Sequence, residues 1–144
     1  MRLTLHTDYA LRILLQAAAT PARRFSIVDV AQTHGISKNH AMKVVNNLAR
    51  HGYLSTTRGR GGGLTLGRPP ESIRLGDVVR LTEPDMQAAD CAHCAFQVGC
   101  GLTPVLASAM AAFLDVLDQQ TLADVLHQSQ WPALNPLKAP LSAE

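Results

Sequence analysis

No stretch of this 144-residue sequence approaches the ~20 consecutive apolar residues that a bilayer crossing needs. The N-terminus also departs from a secretory signal, because Thr4, His6, Thr7 and Asp8 interrupt any basic-then-apolar run. A soluble, cytoplasmic protein with no membrane partner is therefore expected. Cysteine is scarce: three residues, an odd number, all within ten positions. That is no disulfide framework, and in a reducing cytosol it points to metal binding or redox chemistry. No internal repeat, nucleophile–base pairing or cofactor fingerprint occurs. The glycine-rich stretch at 58–63 does not end in Gly-Lys-Ser/Thr, as a phosphate-cradling loop would. An enzyme is not expected.

Acidic residues are also scarce where basic ones gather. Residues 1–80 hold twelve of the thirteen lysines and arginines but four of the eleven acids, a net +8. Residues 81–144 hold one base and seven acids, a net −6, so the overall +2 conceals two opposite halves. Such asymmetry suggests a surface for a polyanion in the first half and a separate task in the second.

Within the basic half, DYALRILLQAAA (8–19) places Leu11, Leu14, Leu15 and Ala18 at helical spacing. Thr7 is the expected cap, Asp8 suits the first-turn dipole, and Pro21 ends the helix. A second helix opens at Ser26, with Asp29 in capping-box position and Gly35 placed for a left-handed C-cap. After the tight link Gly35-Ile36-Ser37, a third helix repeats Ala41, Val44, Val45 and Leu48 on one face. Asn39, His40, Lys43, Asn46, Asn47 and Arg50 occupy its other side, and Gly52 stops it. Two short helices joined by such a turn predict a helix-turn-helix. Short strands at 53–57 and 64–66 then flank Arg58-Gly59-Arg60-Gly61-Gly62-Gly63, a hairpin whose tip carries two arginines. Glycine permits close approach to a groove, and arginine suits the negative potential of a narrow minor groove, so the hairpin reads as a wing.

A further helix is expected over 73–83, with Ile73 in its lead-in, followed by an irregular stretch from Asp85 to Gly101. Thr103 and Pro104 form the expected cap and first turn of the next helix. Residues 105–118 are apolar around most of their circumference, and such a helix must be covered. One small domain offers too little cover, so a dimerisation helix packed on its twin is expected. Thr121 starts a last short helix. The prolines at 132, 136 and 140 suggest a poorly ordered tail over 129–144.

Cys91, Cys94 and Cys100 are spaced C-x2-C-x5-C, with Asp90 and His93 interleaved. Thiolates this close on a loop can converge on one centre, and soft sulfur ligands select zinc, copper(I) or iron–sulfur clusters. On the residues alone, zinc and iron–sulfur stand level, and a thiol–disulfide switch is a third reading. A fourth ligand could be His93, Asp8, a distant histidine or water.

The segments LTLHTDYALRILL, GISKNHAMKVVNNLARHGYL, TTRGRGGGLTLG and IRLGDVVRLTEP, in this order, resemble the iron–sulfur winged-helix regulators. The three cysteines and TLADVL extend the likeness to about residue 126. It is closer to the NsrR type, which are nitric-oxide-sensing repressors, than to the IscR type. IscR-type proteins use a histidine three residues after the last cysteine, and Thr103 stands there. NsrR-type proteins carry an aspartate in the first helix that ligates the partner subunit's cluster, and Asp8 matches it. The resemblance thus implies a [4Fe-4S] cluster on Cys91, Cys94, Cys100 and Asp8, with a [2Fe-2S] cluster or zinc as alternatives. The first two cysteines lie closer together than is usual in the family. A regulator of the same fold sensing iron, cluster supply or zinc is the alternative function.

The fold class expected is mostly α with a small β-hairpin: a winged helix-turn-helix over 1–83, a cysteine loop over 84–102, and dimerisation helices over 103–128. In the mechanism this predicts, Ser37, Lys38, Asn39, His40, Lys43 and Asn47 face the major groove, where asparagine can pair adenine. Arg58 and Arg60 reach the minor groove. A symmetric homodimer implies double-stranded DNA with a pseudo-palindromic operator, and nitric oxide is the implied effector.

Overall fold

A computed structural model describes residues 2–96 and 98–129. Six helices and one hairpin follow in the order α1 (Leu5–Ala19), α2 (Ile27–His34), α3 (Lys38–Arg50), β1 (Leu54–Thr57), β2 (Gly63–Leu66), α4 (Leu75–Thr82), α5 (Leu102–Asp118) and α6 (Leu122–Gln128). A single 3-10 turn at Pro70–Ser72 precedes α4. The expected tail, beyond Ser129, lies outside the described residues.

Local chemistry explains most boundaries. Ser26 and Asp29 form a reciprocal capping box on α2, and Gly35 closes that helix with φ 63°. Ser37 caps α3 by accepting from the His40 N–H. Thr121 and Asp124 build a second capping box on α6. Side chains here satisfy backbone N–H groups that a helix start leaves orphaned.

Two expected caps move. Helix α1 begins three residues earlier than its apolar pattern suggests, capped by Thr4, which accepts from Thr7. Thr4 is held from a distance, since Glu83 Oε1 accepts from its N–H at 2.7 Å and its hydroxyl at 3.1 Å. Thr7, the expected cap, is instead fully buried inside the helix. Likewise α5 starts at Leu102 after Gly101, so Thr103 lies within its first turn.

Helix α1 is the centre of the fold. It packs against α2, α3, α4, α6 and β2, and Ala10, Ile13, Leu14 and Ala17 are buried. Leu11, Leu15 and Ala18 of the expected stripe are only partly buried and pack around this core. The reason is geometric: a helix covered on several sides has no single apolar face. Helix α3, covered on one side, buries the expected Ala41, Val44, Val45 and Leu48.

The strands pair antiparallel with Leu54 opposite Leu66 and Thr57 opposite Gly63. Phe25 adds an edge contact, its carbonyl accepting from the Leu64 N–H at 2.8 Å. Helix α6 returns to the core through Leu122, whose N–H donates to the Ile73 carbonyl at 2.8 Å. Helix α5 packs on α4, where Arg80 grips Asp118 through two contacts of 2.6 and 2.7 Å. Every residue of α5 is exposed or half-buried, although the helix is strongly apolar.

Two histidines sit between helices in surroundings that disfavour their protonation. His6 of α1 meets Asn47 of α3, and burial, then the neighbouring His40, push its pKa down against the opposing pull of Glu83. His34 of α2 meets Gln16 of α1 at 2.8 Å. Burial, then Arg12, lower its pKa, with Asp8 pulling the other way. Because both folded-state values lie below the unfolded value of about 6.5, protonation favours the unfolded chain. Their stabilising contribution is complete above that value and is lost as pH falls through the folded values. Thermal melting should therefore drop when pH is lowered from about 7.5 to about 5. A His6→Gln, His34→Gln double variant should lose less on the same acidification. An equal loss in both proteins would assign the acid sensitivity to other groups.

Candidate nucleic-acid interface and cysteine loop

Helix α3 and the hairpin each present exposed cations: Lys38, Lys43 and Arg50 on the helix and Arg58 and Arg60 on the hairpin. Ser37, Lys38, Asn39 and Lys43 are exposed along α3, with Ser37 serving at the same time as its cap. His40 and Asn47 are half-buried and turned toward α1. The His40 ring stands edge-on to Tyr9 at 5.0 Å and lies beside the His6 ring at 6.3 Å. The Asn47 amide nitrogen is 3.1 Å from His6 Nε2. Of the six residues singled out here from the sequence, Lys38, Asn39 and Lys43 are exposed, Ser37 is exposed but engaged as the cap, and His40 and Asn47 are engaged with α1.

Arg58 and Arg60 are exposed at the hairpin tip. The turn around them requires glycine: Gly59, between the two arginines, and Gly61, after them, have φ of 94° and 78°, a region other residues rarely adopt. A side chain on Gly62 would run into the Thr57 carbonyl. Arg24, not singled out from the sequence, donates from Nη1 to the Gly61 carbonyl at 3.4 Å and so lies beside the tip.

In the segment between α4 and α5, Cys91, Cys94 and Cys100 line one cavity of about 90 Å³, together with Asp90, Leu102, Thr103 and Leu106. All three thiols are free; Cys94 is exposed and the others are half-buried. Cys91 Sγ lies 3.8 Å from Thr103 Oγ1. Cys100 sits just before α5, where the backbone N–H groups of Leu102 and Thr103, and then the Thr103 hydroxyl, pull its pKa below the ordinary thiol value. A thiolate at a helix start is the ligating form of cysteine. In donor chemistry the cavity therefore fits a sulfur-ligated centre. Among the described residues, no group of three His, Cys, Asp or Glu is drawn tightly enough together to hold a single metal ion.

The other expected ligands stand apart from that cavity. His93 turns its Nδ1 to Asp90 Oδ2 at 2.9 Å, in the open. Asp8 does not line the cavity; it pairs with Arg12 at 2.9 Å on the surface of α1. Beside the thiols, Met86 and Ala88 of the loop and Leu106, Met110 and Leu114 of α5 enclose an apolar groove of about 560 Å³. Leu102, Val105 and Val116 of α5 are 59%, 62% and 63% exposed, a concentration of apolar surface that seldom faces water.

Sequence reasoning did not find Glu83, the last residue before the cysteine loop. Its carboxylate holds Thr4 at the start of α1, and two residues on, His6 holds α3. Only the tertiary structure brings these residues together, since 79 positions separate Thr4 from Glu83.

The sequence profile of the Rrf2 family, described as an iron-dependent transcriptional regulator, matches residues 3–128. The chain is similar to the HTH-type transcriptional regulator NsrR of Bacillus licheniformis, with 46% identity over 132 residues, covering 88% of this chain and 92% of that protein. Its structure is similar to that of CymR from B. subtilis, with TM-score 0.75 and 24% identity over 90% of this chain and 98% of that one. T. potens IscR superposes with TM-score 0.73 and 23% identity over 89% of this chain and 88% of that one. Those two structures establish the winged-helix fold, and the relatives are regulators rather than enzymes. From a profile that spans nearly every described residue and a relative this similar along most of its length, the chain belongs to the Rrf2 family of transcriptional regulators.

Proposed function

We propose that this regulator is a cytoplasmic, homodimeric DNA-binding repressor that holds a [4Fe-4S] cluster and senses nitric oxide. The observation that carries the reading is three free thiols lining one cavity, one of them already biased toward thiolate. Its support is the family's description as iron-dependent and the similarity to a regulator named NsrR. Cys91, Cys94 and Cys100 would hold the cluster, with Asp8 of the partner subunit as fourth ligand. The bound cluster would supply iron open to attack by nitric oxide.

The chain's own residues supply the coupling. Asp8 has two claimants, Arg12 of its own helix and the partner's cluster. As a ligand to the partner's cluster, Asp8 would anchor α1 across the dimer; in its absence the carboxylate pairs with Arg12. Helix α1 also holds Asn47 and His40 through His6 and Tyr9, so its displacement would alter how α3 presents both residues. With Ser37, Lys38, Asn39 and Lys43, these would read the major groove, and Arg58 and Arg60 the minor groove. The exposed apolar face of α5 would be covered by its copy, which accounts for its strongly hydrophobic sequence. Two-fold symmetry then calls for a pseudo-palindrome with half-sites about one helical turn apart.

The test is the anaerobic absorption spectrum of the purified protein with iron and sulfide analysis. A broad brown visible band that bleaches with nitric oxide, with iron and sulfide in matching amounts, is expected. A protein that stays colourless after anaerobic reconstitution, and contains zinc, would overturn the cluster reading in favour of a winged-helix zinc regulator. Cys91–Cys94 or similar disulfides under oxidation, with no metal, would favour a thiol switch.

Asp8→Ala should leave folding intact and speed cluster loss on the order of tenfold, within the range for disturbed metal-site partners. A variant that keeps its cluster and answers nitric oxide as the parent does would refute Asp8 as a ligand.

A further inference from the structure

Arg68 lies in the basic half, directly after the wing, and by charge alone would count as one more phosphate contact. Its surroundings point elsewhere. Nε donates to the Gly52 carbonyl at 3.1 Å, and Nη2 donates to the His51 carbonyl at 2.6 Å. The guanidinium carbon lies 4.3 Å above the Tyr53 ring. The first two contacts take carbonyls just beyond the last turn of α3, where helical partners run out. The third takes the buried residue that leads into β1. Arg68 itself follows β2, so one side chain ties together the end of the recognition helix and both strands of the wing.

The backbone around it is fitted to this clasp. Gly52 has φ of 74°, and the Gly67 N–H donates to the Tyr53 carbonyl at 2.9 Å. A side chain on Gly67 would meet the Gly52 carbonyl oxygen at 2.5 Å. Two of the five guanidinium N–H donors are turned inward onto backbone carbonyls and one face lies on a ring, which holds the side chain in one place. The arrangement also requires arginine, because lysine supplies a point charge without the planar fork or the stacking surface.

We infer that Arg68 is a positioning residue that fixes the wing relative to α3, so that Arg58 and Arg60 reach the minor groove while α3 occupies the major groove. The inference rests on the DNA-binding reading above.

The test uses full-length protein, purified anaerobically, and a duplex selected by the parent from a randomised pool. Arg68→Ala and Arg68→Lys should both weaken binding by about three- to tenfold, on the scale of one lost groove contact, while still unfolding cooperatively. Arg58→Ala should weaken the parent by a similar factor, yet add less than about twofold in the Arg68→Lys background, as contacts sharing one positioning element are not additive. Full binding by Arg68→Lys would show a plain phosphate contact and overturn the inference. So would full additivity with Arg58→Ala, or loss of cooperative unfolding in both Arg68 variants, which would make Arg68 a folding residue. If the parent itself selects no duplex, it is the DNA-binding reading that fails.

Discussion

Among the described residues, most of the core leans on helix α1. It carries no cysteine and none of the exposed cations of α3 or the wing, yet Thr7, Ala10, Ile13, Leu14 and Ala17 form the buried surface against which the other core elements pack. Its first turn is capped by Thr4 under the hold of Glu83, at the mouth of the cysteine loop. Its flank holds Asn47 and His40 on α3. A close-packed interior yields by switching between arrangements rather than by deforming smoothly. A shift in α1 would therefore be felt at both ends of the protein.

The two halves of the chain answer to different physics. The basic half turns most of its apolar residues inward and its cations outward, which suits a polyanion. The acidic half does the reverse along α5, leaving Val105 and Val116 largely open to water. Among the described residues a single copy covers this helix only in part, through α4, whereas a two-fold pair would bury the open face twice. Pairing through α5 would also bring the thiol cavity, which shares Leu106 with the apolar groove, near the junction between subunits.

Much of the architecture was legible in the sequence because it is locally encoded. The capping boxes at Ser26 and Thr121, the left-handed Gly35 and the one-sided apolar face of α3 each depend on residues within a few positions. What escaped was set by distant partners. Thr4 rather than Thr7 caps α1 because Glu83 reaches it across the fold. Thr103 is no cap but lies against Cys91 and Cys100, a relation that its Thr-Pro context does not encode. At the candidate site, the cysteine spacing was sufficient to mark the loop. The engagement of His40 and Asn47 with His6 was not readable, since polar residues on the outer face of α3 look alike until α1 is packed beside them. Arg68 was invisible for the same reason: among many arginines, only its contacts distinguish it.

The central claim is that the state of the cysteine site governs the hold on DNA. Its most direct measurement is an anaerobic titration of a labelled duplex, selected by the protein from a random pool, before and after stoichiometric nitric oxide. Tight binding that collapses on nitric oxide and returns on reconstitution of the cluster is the predicted result. Binding of equal strength with the cysteine site intact, nitrosylated or empty would contradict the account.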